Sequence, residues 1–332
     1  MPTWGEILQE IHNTVTPQGL PDCDAVRRKY LKQLHDLTGR HTVVYHTDWM
    51  GGSSSNAVSI VLEDMMGLME CYHGRQGDSI DLILHSPGGD PTAAASLVAY
   101  TRKKFTDVRV IVPLAAMSAA TMWSLSADKI VMGKHSQLGP IDPQLALQIM
   151  VPAGALIRQF ETAKKECTAD PRLLSVWLPT LQQYYPGLLE MCSDAIKLAR
   201  NLVTTWMTQY MFAGRSDAAQ KAAEVANYFA DDAGQHGVHS LGIDREAARS
   251  QELAIEDLEA DPALQDAVLS VHHATMHTLN MTPVIKIVEN HMGRMFAKME
   301  QQIQVVGPPG IQLPPGIQLT PGAAPGAPPP SP

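Results

Sequence analysis

The chain has 332 residues and a formal net charge of −9, with 25 Lys and Arg against 34 Asp and Glu. A nucleic-acid partner is excluded on that balance, because phosphate binding needs clustered cations, and the short runs RRK at 27–29 and RKK at 102–104 read as solvated helix faces. No apolar stretch reaches the roughly 20 residues of a membrane span, and MPTWGEILQEIHN lacks the charge and apolar pattern of a signal peptide, so the expectation is a soluble cytoplasmic protein with no membrane association.

In chain order, Trp4, Ile7, Leu8 and Ile11 stand at helical spacing. A second helix is expected over 24–37, with Asp24 as N-cap and Gly39 as stop. Together, 1–39 form an N-terminal helical arm. HTVVYH at 41–46 reads as the first strand, TDWMGGSSSN as a loop, and 56–72 as one helix with Val58, Val61, Leu62, Met65, Leu68 and Met69 on one side.

IDLILH at 80–85 is nearly continuous in apolar residues, as a parallel strand covered on both faces should be. A helix over 92–104, a strand at 108–113, a helix over 118–127 and a strand at 129–133 follow. Such alternation specifies an α/β layer fold with right-handed crossovers.

Beyond Gln144 the pattern turns helical, with helices expected near 154–168, 172–184, 187–212, 216–228, 244–254, 262–278 and 283–303. The last two, rich in Met and His, are expected at a peripheral or subunit contact. From Gly307 the Pro- and Gly-rich chain repeats PPGIQL, and 306–332 is expected to be a disordered tail. Cys23, Cys71, Cys167 and Cys192 show no CxxC spacing and are expected as free, buried thiols.

The chemistry concentrates in 81–144. HSPGGD at 85–90 follows an apolar strand, where Gly88 and Gly89 let the backbone approach a ligand closely. Alone, this would be a tight strand-to-helix turn. Ser118, in LAAMSAATM, opens a small-residue helix after the next strand; alone, it would be a packing serine. Adjacent parallel strands would bring the two together, a nucleophile beside amide donors, which is the arrangement of acyl transfer.

LILHSPGGDPTAAASLVAY, VRVIVPLAAMSAATM and DKIVMGKHSQLGPIDPQ resemble, in order and spacing, the serine dehydrogenase proteinase family. That family is a branch of the Clp-protease and crotonase superfamily and is similar to signal peptide peptidase. The resemblance covers roughly 40–255 and implies a ClpP/crotonase-like spiral of ββα units with a catalytic domain over 40–260; the helical C-terminal extension expected over 261–305 falls outside it. The resemblance also implies Ser118 as nucleophile, an oxyanion hole from the amides of Gly88 or Gly89 and Ala119, and a homo-oligomer.

Ala120 stands where relatives usually carry glycine, a change expected to narrow the pocket. The base is open: the register of the Clp-type histidine falls at Ile141 and Asp142, where there is none. His135 and Lys134 at the strand end, and Lys164 and Lys165 on the following helix, are candidates. Asp142 sits where crotonase-type relatives place an acidic residue, either orienting a base or capping a turn.

His236 and His239 suggest a pocket edge and lack the partners of a zinc site. No metal and no cofactor are expected: neither a pyridoxal-lysine context nor a GxGxxG turn is present. The expected function is a serine peptidase acting on a peptide or protein substrate. A non-catalytic assembly protein and a crotonase-like acyl-thioester enzyme are the alternatives.

Overall fold

The computed structural model describes residues 3–51, 55–75, 77–147, 149–231 and 242–300. The expected tail and the His236 and His239 pair lie outside the described residues.

Helices α1 (Trp4–Asn13) and α2 (Cys23–Thr38) precede β1 (His41–Thr47), α3 (Ser55–Val58), α4 (Asp64–Tyr72) and β2 (Ser79–His85). Next come α5 (Pro91–Lys104), β3 (Asp107–Val112), β4 (Ala115–Ala116), α6 (Ala119–Leu125), β5 (Lys129–Met132) and β6 (Gln137–Leu138). A hairpin of β7 (Gln144–Ala146) and β8 (Met150–Pro152) leads into α7 (Ala153–Ala169), α8 (Leu174–Leu181), α9 (Leu188–Gln209) and α10 (Ala218–Phe229). The described chain ends with β9 (Ile243–Asp244), α11 (Arg245–Ser250), β10 (Ile255–Asp257), α12 (Pro262–Met281), β11 (Val284–Asn290) and β12 (Met295–Met299).

Among the described residues, seven strands form one sheet in the order β10-β5-β3-β2-β1-β11-β12. The first five run parallel, while β11 pairs antiparallel with β1 and with β12. Because side chains alternate along a strand, each central strand feeds two cores. Leu82 and Leu84 of β2 join Tyr45, Trp123 and the apolar faces of α9 and α10. Ile83 joins Val44, Ile111 and Val131 beneath α1, α2 and α12. The mixed α/β architecture with a mainly parallel central sheet is therefore as the strand pattern predicts.

Three expectations are corrected. Where a helix was expected, residues 284–299 form a β-hairpin: β-branched Ile287 and Val288 pair with both β1 and β12, and Gly293 turns the chain at φ 80°. The single helix expected over 56–72 breaks between α3 and α4, where Ile60 instead bridges to Gly89 as in a parallel strand. Helix α12 is a core element rather than a peripheral one, with Val268, Val271 and Ala274 fully buried against the sheet.

Smaller differences also have physical causes. Asp22, not Asp24, caps α2 by accepting from the Ala25 N–H, and Asp24 pairs with Arg27 instead. Gly39 ends that helix in the left-handed conformation, as expected. Cys23, Cys71 and Cys192 are buried free thiols, and Cys167 is half-buried.

Candidate active site

β2 ends at His85, and the chain turns through residues 86–90 before Asp90 caps α5. Gly88 has φ 97° and Gly89 φ 150°, both in the region that disfavours a side chain. Contact confirms the need for glycine. A Cβ on Gly88 would lie 2.6 Å from the Met117 carbonyl oxygen, 2.7 Å from Ser118 Cβ and 2.8 Å from the Ala119 nitrogen. One on Gly89 would lie 2.4 Å from the Ile60 nitrogen.

The glycine turn is thus held between two backbones. On one side Ser86 pairs with Ala115 and Met117, its N–H donating to the Ala115 carbonyl at 3.2 Å and its carbonyl accepting from Met117 at 2.9 Å. On the other, the Ile60 N–H donates to the Gly88 carbonyl at 2.7 Å and the Asp90 N–H donates to the Ile60 carbonyl at 3.0 Å.

Ser118 itself is at φ 50° and ψ −119°, a conformation rare for a residue with a side chain. It occupies the position before α6, yet its hydroxyl makes no capping bond, and among the described residues it has no hydrogen-bond partner. The Gly88 N–H donates to Ser86 Oγ at 3.2 Å. The amides of Gly89 and Ala119, by contrast, meet no acceptor among the described residues.

Ser118, Gly89 and Ala119 line one cavity of about 440 Å³, closed by Met122 of α6, Leu145 and Met150 of the β7–β8 hairpin, and Ala195 of α9. Its walls are chiefly apolar, the setting in which a donor to a developing charge counts for most. Ala120 is fully buried in the core under the sheet and does not line this cavity. The expected narrowing is therefore absent.

The candidate bases are elsewhere. His135 Nε2 lies 2.9 Å from the Pro113 carbonyl oxygen, and the Lys134 amide donates to Glu259 at 2.8 Å with its side chain exposed. Lys164 and Lys165 are exposed on α7. None of the four lines the Ser118 cavity. Asp142 is buried and accepts from the Gln144 side-chain amide at 2.6 Å, and Gln144 does line it.

Two parts of the site escape a reading by helical periodicity. Residues 58–61 carry β-branched Val58, Ile60 and Val61, which favour extension, and 145–151 alternate Leu145, Leu147, Ile149 and Val151 at the period of a strand. Both signals were available, but short.

Among the described residues, no helix is long and apolar enough to cross a membrane, and no cluster of His, Cys, Asp and Glu is placed to hold a metal ion.

Comparison with known proteins finds partial similarities. Two uncharacterised proteins of Methanocaldococcus jannaschii are similar: one 35% identical over 116 residues, 35% of this chain and 40% of its own, the other 30% identical over 161 residues, 46% of this chain and 54% of its own. The alignments thus span about half or less of those relatives. Among solved structures, a serine-to-alanine mutant of the 1510-N membrane-bound stomatin-specific protease aligns at 16% identity over 59% of this chain and 74% of its own, with a TM-score of 0.33, a distant likeness only. Residues 62–183, which hold the glycine turn and Ser118, match the family described as ClpP-like SDH-type serine proteinase.

Proposed function

We propose that the protein is a serine hydrolase cleaving peptide bonds through an acyl-enzyme on Ser118. The observation that carries this is the backbone of Ser118. A non-glycine residue at φ 50° and ψ −119° costs on the order of 1–3 kcal/mol and persists only where its surroundings over-determine it. Here those surroundings are the glycine turn and a cavity with two unspent amides.

In this reading Ser118 Oγ bonds to the substrate carbonyl carbon. The carbonyl oxygen takes the negative charge and receives the N–H groups of Gly89 and Ala119, each worth about 3 kcal/mol in comparable sites. Collapse expels the amine with a proton, and water then attacks the ester to release the acyl group and restore the hydroxyl. Gly88, with its N–H committed to Ser86, serves as the spacer that admits Ser118. Asp142 holds Gln144 at the cavity wall and is a positioning residue rather than the base.

The serine proton needs an acceptor within about 3 Å, and such contacts often close only when substrate is bound. His135 would have to exchange its bond to Pro113 for one to Ser118. The lack of a base on Ser118 among the described residues favours a second reading, a ClpP-like scaffold without hydrolysis.

A fluorophosphonate probe separates the readings. Covalent labelling of the wild type that is lost in Ser118→Ala supports the hydrolase, and an unlabelled wild type supports the scaffold. Thioesterase or hydratase activity retained in Ser118→Ala would replace both with crotonase-like chemistry. Exposed Leu174 and Val176 on α8, at 50% and 70%, support the homo-oligomer that the resemblance implies, which sedimentation velocity tests.

A further inference from the structure

Lys286, on β11, has a completely buried side chain. Its Nζ donates to Asp64 Oδ1 at 2.7 Å and to the Ser59 carbonyl oxygen at 2.8 Å. The second oxygen of Asp64 accepts the Tyr45 hydroxyl at 2.7 Å and the Val61 N–H at 3.0 Å. Asp64 is itself 1% exposed. A buried ion pair of this kind recovers its desolvation cost only through good geometry and further hydrogen bonds, and both ions have them.

The bonds converge on residues 59–61, the break between α3 and α4 where a helix was expected. Lys286 fixes the carbonyl of Ser59, and Asp64 fixes the amide of Val61. Between them Ile60 has its N–H and carbonyl turned to Gly88 and Asp90. Bonding on that edge leaves the Gly89 N–H on the other one, and both Gly89 and Ser59 line the Ser118 cavity.

We propose that Lys286 and Asp64 are positioning residues for the oxyanion site: together they fasten the 59–61 edge, which in turn holds the Gly88 and Gly89 turn with the Gly89 amide directed at the reacting carbonyl. The inference rests on the reading of Ser118 as nucleophile and Gly89 as donor. It adds to that reading a buried charge pair half of which comes from a strand far outside residues 62–183.

The test uses a double variant, Lys286→Met with Asp64→Asn, in the full chain. Both charges go together, so neither ion is left alone in the core, and the asparagine oxygen still accepts from Tyr45 and Val61. A fluorophosphonate titration gives the fraction of competent sites from its amplitude and the reactivity of each site from its rate constant. Loss of fold alone lowers the amplitude and leaves the rate constant of the remaining sites unchanged.

The expected result is an amplitude near that of the wild type with a rate constant lower by about 10-fold, a fraction of what complete removal of a donor costs. An unchanged rate constant overturns the positioning role while leaving the hydrolase standing. An unlabelled wild type overturns both. Should the double variant not fold, hydrogen exchange of the wild type decides the matter: the Ile60 and Asp90 amides must be protected, and exchange at the rate of free amides overturns the proposal.

Discussion

The Nε2 atom of His46 lies 2.9 Å from Nδ1 of His272, so one of the two rings must present a bare nitrogen to the other. Both are buried, and the neutral ring of His85 packs against each at centroid distances of 5.4 and 5.3 Å. His85 donates from Nδ1 to the Ala115 carbonyl, the same carbonyl that accepts from Ser86, and accepts at Nε2 from Trp49. A second imidazole layer therefore backs the strand that leads to the glycine turn.

This layer predicts acid lability. Burial lowers His85 from 6.5 to about 4, and burial together with the neighbouring imidazoles lowers His46 and His272 well below 6.5. Above 6.5 neither the folded nor the unfolded chain protonates these rings. Between 6.5 and about 4 the unfolded chain binds protons that the folded one refuses, so stability falls as pH falls. Urea denaturation from about pH 7 to about pH 4 should show that decline, and His272→Phe should flatten it. An equal slope in the variant would remove the cluster as its cause.

Gly88→Ala should damage the site more than its size suggests. The added methyl would meet the Met117 carbonyl at 2.6 Å, and the backbone is at φ 97°. Stability should drop by about 2 kcal/mol, and phosphonate labelling per folded molecule by about 100-fold. A variant that melts lower yet labels at the wild-type rate would dissociate the turn from the chemistry.

Ala120→Gly should do the reverse of restoring a family feature. The Ala120 methyl is packed in the core and lies off the cavity, so labelling should stay within about twofold while stability falls by about 1 kcal/mol. Calorimetry and labelling on the same sample check both halves.

Asp81 bridges Arg40 and Arg109 with a fully buried carboxylate, at 2.6 and 2.8 Å. Asp81→Asn should cost about 2 kcal/mol in urea denaturation, below the range for a wholly buried pair because both guanidinium groups retain some solvent. Phosphonate reactivity of the folded fraction should be unaffected, since this pair lies at the opening of β2 and Ser118 beyond its far end.

How legible the molecule is from sequence depends on how local the determining forces are. The glycine turn and Ser118 announce themselves because each needs small residues at fixed short spacing after an apolar strand, and the structure brings Gly88 within contact of Ser118. Residues 284–299 do not: Lys286, Glu289, Met292 and Lys298 allow a helix, and strand formation is decided by β1, which lies far away in sequence. The break at 59–63 is concealed in the same way, because Val58, Val61, Leu62 and Met65 keep helical spacing while Asp64 and Lys286 draw the backbone out of it. His135 fits a base by proximity in sequence, yet its ring is bonded to Pro113.

β1 sits between β2 and β11, so one flank is completed by a neighbour close in sequence and the other by a strand some 240 positions later. The lysine that fastens residue 59 travels on that later strand. During synthesis from the N-terminus, Ser118 and the glycine turn emerge long before their fastening. A nascent chain of this protein therefore carries the glycine turn and Ser118 without that fastening until β11 is made.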